Sequence, residues 1–176
     1  MIRCATKADC AAMRDIYLPY VRDTAITFEE TLPTEETFLK KLEALMPKYP
    51  FYVYEKDGEI AAYAYASAFR ERAAYRWGAE LSVYVDKKYQ GQGIGHGLYA
   101  ALLETLTRQG YKTAYGVVTL PNEISARLHA SFGFTQSALL KNAGYKMKKW
   151  HDVAIFEKPL GAYEREVAET KPLTVG

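Results

Sequence analysis

The segment that most limits what this chain can become is "AELSVYVDKKYQGQGIGHGLYAALLETL", residues 79–106. It reads as an apolar strand, a loop with Gly91, Gly93, Gly95 and Gly97 close together, and an amphipathic helix that stops at Gly110. A junction of this kind leaves backbone N–H groups that no helical carbonyl can satisfy, and the helix dipole adds positive potential there. It can hold a phosphate without lysines. Two phosphate loops are excluded by position. A dinucleotide fingerprint needs G-x-G-x-x-G, but the sixth position is His96 counted from Gly91 and Leu98 counted from Gly93. A Walker loop needs Gly-Lys-Ser/Thr, which does not occur. What remains is Gln90-x-x-Gly93-x-Gly95 at a helix start, and a pyrophosphate cradle is favoured over a bare tight turn.

The rest of the chain surrounds this unit with antiparallel signals. "IRCAT" reads as a short strand, "TKADCAAMRDIYLPYVRD" as a helix capped by Thr6 or Asp9, and "TEETFLKKLEALM" as a helix opening at Thr34. "FYVYEKDGEIAAYAYASAF" is a hairpin about Asp57-Gly58. After the glycine loop and its helix, "KTAYGVVTL" is a strand. "NEISARLHASFGF" is a short helix from Asn122 to Gly133, and "TQSALLKNAG" and "WHDVAIFEKPL" are two closing strands. The order is mixed α and β without the regular alternation of a doubly wound nucleotide fold. Residues 1–160 read as one domain and 161–176 as a C-terminal tail, an arm or a disordered end.

Composition narrows the classes of function. A net charge of +2 and the lack of a long basic run argue against nucleic acid. The N-terminus lacks a signal-peptide core and no apolar run approaches membrane-spanning length, so a cytoplasmic protein without a membrane partner is expected. Cys4 and Cys10 lack CxxC spacing and read as reduced thiols; no metal site is expected. Fifteen tyrosines suit a strand-rich fold with amphipathic pockets. Glu80 stands out within "GAELSVYV". A carboxylate beside an apolar strand must be paired, wet or functional, and Arg76 is the nearest candidate partner in sequence.

Gln90-Gly91-Gln92-Gly93-Ile94-Gly95 resembles the acetyl-CoA loop of the GNAT acetyltransferases, and "LPNEISARLHASFGF" resembles their second cofactor segment. "FRERAAYRWGAELSVYV", "GVVTLPNEISARLH" and "KMKKWHDV" are similar to the phosphinothricin and methionine sulfone/sulfoximine acetyltransferases. The resemblance implies a central, mostly antiparallel twisted sheet with flanking helices and a splayed parallel strand pair that binds CoA. It implies acetyl transfer from acetyl-CoA to the α-amine of a small amino acid-like acceptor, by direct attack and without an acyl-enzyme, in a homodimer. The alternatives are another amine acceptor, such as a peptide N-terminus, polyamine or aminoglycoside, or a non-catalytic acyl-CoA sensor.

On this resemblance Glu80 is the general base, acting through a water, and His129 is a second catalytic group, acid or base. A packed helix histidine is the competing explanation for His129. Val83, Tyr84 and Val85 would offer backbone to the pantetheine arm like an added strand. Residues Gly91, Gln92, Gly93, Ile94, Gly95 and His96 would hold the pyrophosphate behind Gln90, with Asn122 and, less strongly, Ser125 on the second segment. Phe28, Glu29, Arg70, Arg72 and Tyr75 resemble the acceptor wall: an arginine to pair with a carboxylate, Glu29 to hold the amino group. Trp150, His151 and Asp152 would shape the last strand pair. The chain departs from the family after Lys146, where Met147-Lys148 replaces a His-Gly pair.

Overall fold

A computed structural model describes residues 1–173. Seven strands form one sheet in the order β1-β2-β3-β4-β5-β7-β6. They are β1 Ile2–Cys4, β2 Phe51–Lys56, β3 Glu59–Ala68, β4 Gly78–Val85, β5 Thr113–Thr119, β6 Thr135–Lys146 and β7 Lys149–Pro159. Helices α1 Cys10–Asp23 and α2 Glu35–Leu45 cover one face, and α3 Ile94–Gln109 and α4 Glu123–Ser131 the other. Every neighbouring pair is antiparallel except β4 and β5, as a hairpin-rich sheet with one helical crossover requires.

Alternation along β4 sorts the two faces. Ala79 and Leu81 are buried beneath α3, with Val83 and Val85 packed on the same cluster. Tyr84 points the other way, into an aromatic core with Tyr17, Tyr20 and Tyr63. The second cluster, under α1 and α2, gathers Phe38, Phe51, Tyr63 and Tyr65, and accounts for much of the aromatic excess in the composition. α2 begins as its capping pattern predicts: the Thr34 hydroxyl accepts from the Thr37 N–H and Thr37 reaches back to the Thr34 N–H.

Two segments differ from their sequence-based expectations. β6 continues past Gly144 to Lys146, which pairs with Lys149 across a two-residue turn, so the closing strands form one long hairpin. The tail, as far as it is described, lies against the starts of β4 and β5 rather than extending as a free arm. Arg76 pairs with Glu169, Lys112 with Glu164, and the Trp77 indole N–H donates to the Ala168 carbonyl. Residues 174–176 of the expected tail lie outside the described residues.

The hairpin turn is made by Met147 and Lys148, with φ of 53° and 62°. Both are left-handed, the geometry that Asn-Gly supplies at little cost and that side-chain-bearing residues resist by about 1–2 kcal/mol each. Replacing Met147-Lys148 by Asn-Gly is therefore expected to stabilise the protein by about 1–2 kcal/mol, a rise in Tm of roughly 2–8 °C in thermal unfolding.

Candidate active site

β4 and β5 pair only from Gly78↔Thr113 to Glu80↔Tyr115. Beyond that point β4 stays with β3 as far as Val85, and β5 stays with β7 as far as Thr119. The two parallel strands therefore part after Glu80. The β5-facing edge of β4 from Leu81 onward has no strand partner among the described residues, and unpaired backbone of this kind can accept an extended ligand as an added strand.

A cleft of about 620 Å³ opens along this gap. Val83, Val85, Gln90, Gly91, Gly93, Ile94, Gly95 and His96 line one side, and Asn122 and Ser125 of the α4 entry line the other. Gly93 is the α3 N-cap with φ of 76°, Gly91 has φ of 75°, and a Cβ at either would meet nothing within 4 Å. Backbone geometry rather than crowding selects glycine here, and it leaves the first-turn N–H groups of α3 open to the cleft. The Asn122 carboxamide oxygen accepts from the Ser125 N–H, so Asn122 caps α4 while its NH₂ stays available. The Val85 carbonyl is already occupied: the Tyr20 hydroxyl donates to it at 2.6 Å. Gln90 donates to that same hydroxyl at 3.1 Å.

Glu80 lies where the strands part, on the face covered by α1 and α2. It is half-buried and receives no hydrogen bond from another described residue. Burial pushes its carboxyl pKa up, and the only opposing charge effect comes from Lys41. Arg76, its candidate partner in sequence, instead pairs with Glu169 in the tail. On the same side, the Phe28 ring lies over Gly144, where a Cβ would come within 2.2 Å of the ring, and beside His151 at 6.2 Å between centroids. The loop carrying Phe28 is held by Lys146, whose buried ammonium donates to the Val21 and Thr27 carbonyls, each at 2.8 Å. His151 Nε2 in turn donates to the Lys146 carbonyl. Glu29 is exposed on this loop.

His129 is brought to the same region but not onto the cleft wall. It is 4% exposed and stacks on Phe156 at 4.9 Å. Nδ1 donates to the Ser125 carbonyl at 2.7 Å, which leaves Nε2 to accept the Tyr99 hydroxyl at 2.8 Å. Burial holds its pKa below the ordinary histidine value, so the ring is neutral. Arg70, Arg72 and Tyr75 are exposed on the β3–β4 loop, and the Arg70 guanidinium lies 5.2 Å from the Phe69 ring. Tyr75 borders a separate cavity of about 230 Å³ with Phe69, Tyr115 and Tyr163, away from the cofactor cleft. Of the closing residues, His151 is buried, Trp150 is exposed, and Asp152 pairs with Lys141. The sequence did not single out Tyr20, Lys41 or Tyr65. Each sits in a helical or strand pattern that also reads as ordinary core or surface, and only the approach of α1 and α2 to β4 gives it a place in the site.

Comparison with known proteins agrees with this geometry. Residues 2–155 match the acetyltransferase (GNAT) domain. The phosphinothricin N-acetyltransferase of Streptomyces viridochromogenes is 40% identical over 157 residues, covering 89% of this chain and 86% of that protein. The L-methionine sulfoximine/L-methionine sulfone acetyltransferase of Salmonella typhimurium is 34% identical, covering 90% of this chain and 94% of that protein. The solved phosphinothricin acetyltransferase of Sinorhizobium meliloti in complex with acetyl-CoA superimposes with a TM-score of 0.89 at 34% identity, over 98% of this chain and 92% of that one.

The buried neutral His129 makes a pH-dependent contribution to stability. Its folded pKa lies below the ordinary 6.5, so as pH falls through that value the unfolded chain takes up a proton that the folded chain resists. Stability is fully present above that pH and is lost below it. Thermal unfolding between pH 5.0 and 7.5 is expected to show the advantage of wild type over His129→Gln shrinking steadily toward the acid end.

Proposed function

The chain belongs to the GNAT acetyltransferase family, and from that premise we propose that its acceptor is the α-amino group of a small amino acid of the phosphinothricin, methionine sulfone or methionine sulfoximine kind. The observation that carries the reading is Glu80: a half-buried, unpartnered carboxylate at the point where the β4–β5 gap, which suits a cofactor, meets the face roofed by Phe28. The similar proteins that act on such acceptors support the acceptor class.

Acetyl-CoA would supply an activated thioester acyl group when bound; the free amine would attack its carbonyl directly, the C–S bond would break, and the departing CoA thiolate would take up the proton that the attacking nitrogen gives up. The residues present fit such a group. The α3 first turn and Gln90 to His96 would hold the pyrophosphate. The edge of β4 at Val83 to Val85, where Tyr20 already holds the Val85 carbonyl, would hold the pantetheine, and the Asn122 NH₂ would reach it from the facing side, with Ser125 beside it. Glu80 takes the proton from the acceptor ammonium through a water, and its raised pKa makes it the stronger base. His129 acts as a positioning residue: it ties the first turn of α4, where Asn122 and Ser125 stand, to Tyr99 of α3. Phe28 would roof the acceptor, Glu29 would flank it, and Arg70 and Arg72 would place positive charge at its mouth, while Tyr75 lines the separate cavity at the start of β4 and β5.

We also propose a homodimer joined through the β6–β7 hairpin. β6 is an edge strand, and Leu139, Leu140, Tyr145 and Trp150 of this hairpin all face solvent.

Steady-state thiol release with acetyl-CoA, run against phosphinothricin, methionine sulfone, methionine sulfoximine, spermidine and a short peptide, tests the reading. Turnover is expected on the first three. Turnover confined to spermidine or the peptide would overturn the acceptor class while leaving acetyl transfer in place. Glu80→Gln is expected to bind acetyl-CoA normally, judged by its rise in Tm, while kcat falls by roughly 10²–10⁴. The acid limb of the kcat/KM profile, expected above the ordinary carboxyl value of 4.5, should vanish in this variant.

A further inference from the structure

One side chain in the cofactor cleft occupies backbone that an added strand could use. Val85 ends β4 and lies opposite Ala62 of β3. The N–H of the next residue, Asp86, donates to the Ala61 carbonyl, so by the alternation of an antiparallel ladder the Val85 N–H and carbonyl point the other way, to the open edge. Val83 shares that orientation. Both Val85 groups are met by a single atom, the Tyr20 hydroxyl of α1. It donates to the Val85 carbonyl at 2.6 Å, and it accepts from the Val85 N–H at 3.4 Å and from the Gln90 side-chain amide at 3.1 Å. A tyrosine hydroxyl has one hydrogen to give and two lone pairs, and all are engaged here. The ring beneath is fixed as well: it lies edge-on to Tyr84 at 5.2 Å, and Tyr84 is locked against Tyr17 and Tyr63.

This hydroxyl joins parts of the cleft that are otherwise separate: the end of the β4 edge, the residue that opens the glycine loop, and the last turn of α1. A glycine loop has little stiffness of its own, and the Gln90 contact fastens its first residue to the strand. Glu80 lies toward one end of the β4 edge and the α3 N-terminus beyond the other, so a ligand that reaches between them passes Val85. We propose that Tyr20 is a positioning residue for the cofactor. By fastening Gln90 to the end of β4 it sets the separation between the phosphate seat at the α3 N-terminus and the strand edge that receives the pantetheine. By occupying Val85 it leaves Val83 as the residue on which that arm aligns. This rests on acetyl-CoA lying along the β4–β5 gap. It follows that Tyr20 matters for a donor that fills both seats at once and not for one that fills the strand edge alone.

The test pairs CoA binding by titration calorimetry with the thiol-release assay, in which acetyl-CoA is compared with S-acetylpantetheine, a donor that has the arm and the thioester but no pyrophosphate. Tyr20→Phe removes only the hydroxyl, Gln90→Ala removes the loop side of the junction, and a double variant removes both. Thermal unfolding without ligand checks that each is folded. Tyr20→Phe is expected to weaken CoA binding by about 10-fold, the loss of one hydrogen-bonded junction, and to lower kcat/KM for acetyl-CoA by about as much. Its kcat/KM for S-acetylpantetheine should stay within about twofold of wild type. Gln90→Ala should repeat the pattern more weakly, and the double variant should bind CoA no worse than Tyr20→Phe, because both changes break the same junction. Calorimetry needs no acceptor, so this arm reads out whichever amine the enzyme uses. The proposal is overturned if Tyr20→Phe binds CoA more tightly than wild type, which would make the hydroxyl a plug that the cofactor must evict. It is also overturned if CoA binding is unchanged, if the two donors lose efficiency alike, as for a residue that only supports the fold, or if the costs of the single variants add in the double one. Wild type that binds no CoA would overturn the cofactor reading itself, and the Tyr20 assignment with it.

Discussion

The rest of the molecule depends on the brevity of one strand pairing. β4 and β5 run parallel for three residue pairs and then separate, because each has a stronger commitment elsewhere. β4 is held by β3 through Val85, and β5 by β7 through Thr119, along antiparallel ladders that continue well past the point of parting. A sheet cannot follow both ladders and stay closed. The opening has unpaired β4 backbone along one edge, the α3 N-terminus at its mouth and Glu80 at its apex. On the proposed reading, cofactor and acceptor would meet from opposite faces of a single sheet, with the Glu80 carboxylate at the meeting point.

The face proposed for the acceptor is shaped by aromatic packing more than by charge. Tyr17, Tyr63, Tyr65 and Tyr84 interlock beneath α1 and α2 and bring the helices down onto β4. The buried Lys146 then ties the loop after α1 to the far hairpin by two carbonyl contacts. Residues distant in sequence, such as Phe28, Lys41 and His151, reach one face through that packing, and their geometry is only as firm as the tyrosine core below them.

Local signals were legible in the sequence where one residue type has one physical use. Glycines at a strand-to-helix junction, a Thr-capped helix start and an Asp-Gly hairpin each name their own geometry, and the corresponding elements are where those residues predict. The fold class and the cofactor cleft follow from them and from the family resemblance. What could not be read was partnership. Arg76 looked like a mate for Glu80 because it is close in sequence, yet a glutamate 93 residues away holds it. His129 sits at a position of functional interest but is satisfied by a hydroxyl on α3 and by a carbonyl one turn back on its own helix. Tyr20 gave no signal at all, since a tyrosine on an amphipathic helix normally belongs to the core. Contacts of this kind are set by how layers meet, and no spacing rule encodes that.

The way the tail is fastened bears on the order in which the structure can assemble. Glu164, Ala168 and Glu169 close against Lys112, Trp77 and Arg76, and the Lys171 backbone meets that of Gln109, spans of 52 to 93 residues. The surface the tail closes on exists only once β4 and β5 are side by side, and β7 then delivers the tail to it through the Thr113–Pro159 pairing. The tail therefore joins late, as a latch on strands already aligned. Until residues 164–171 emerge during synthesis the β4–β5 start is bare, and the aromatic floor of Phe69, Trp77 and Tyr115 is a surface that a nascent chain must keep from its neighbours.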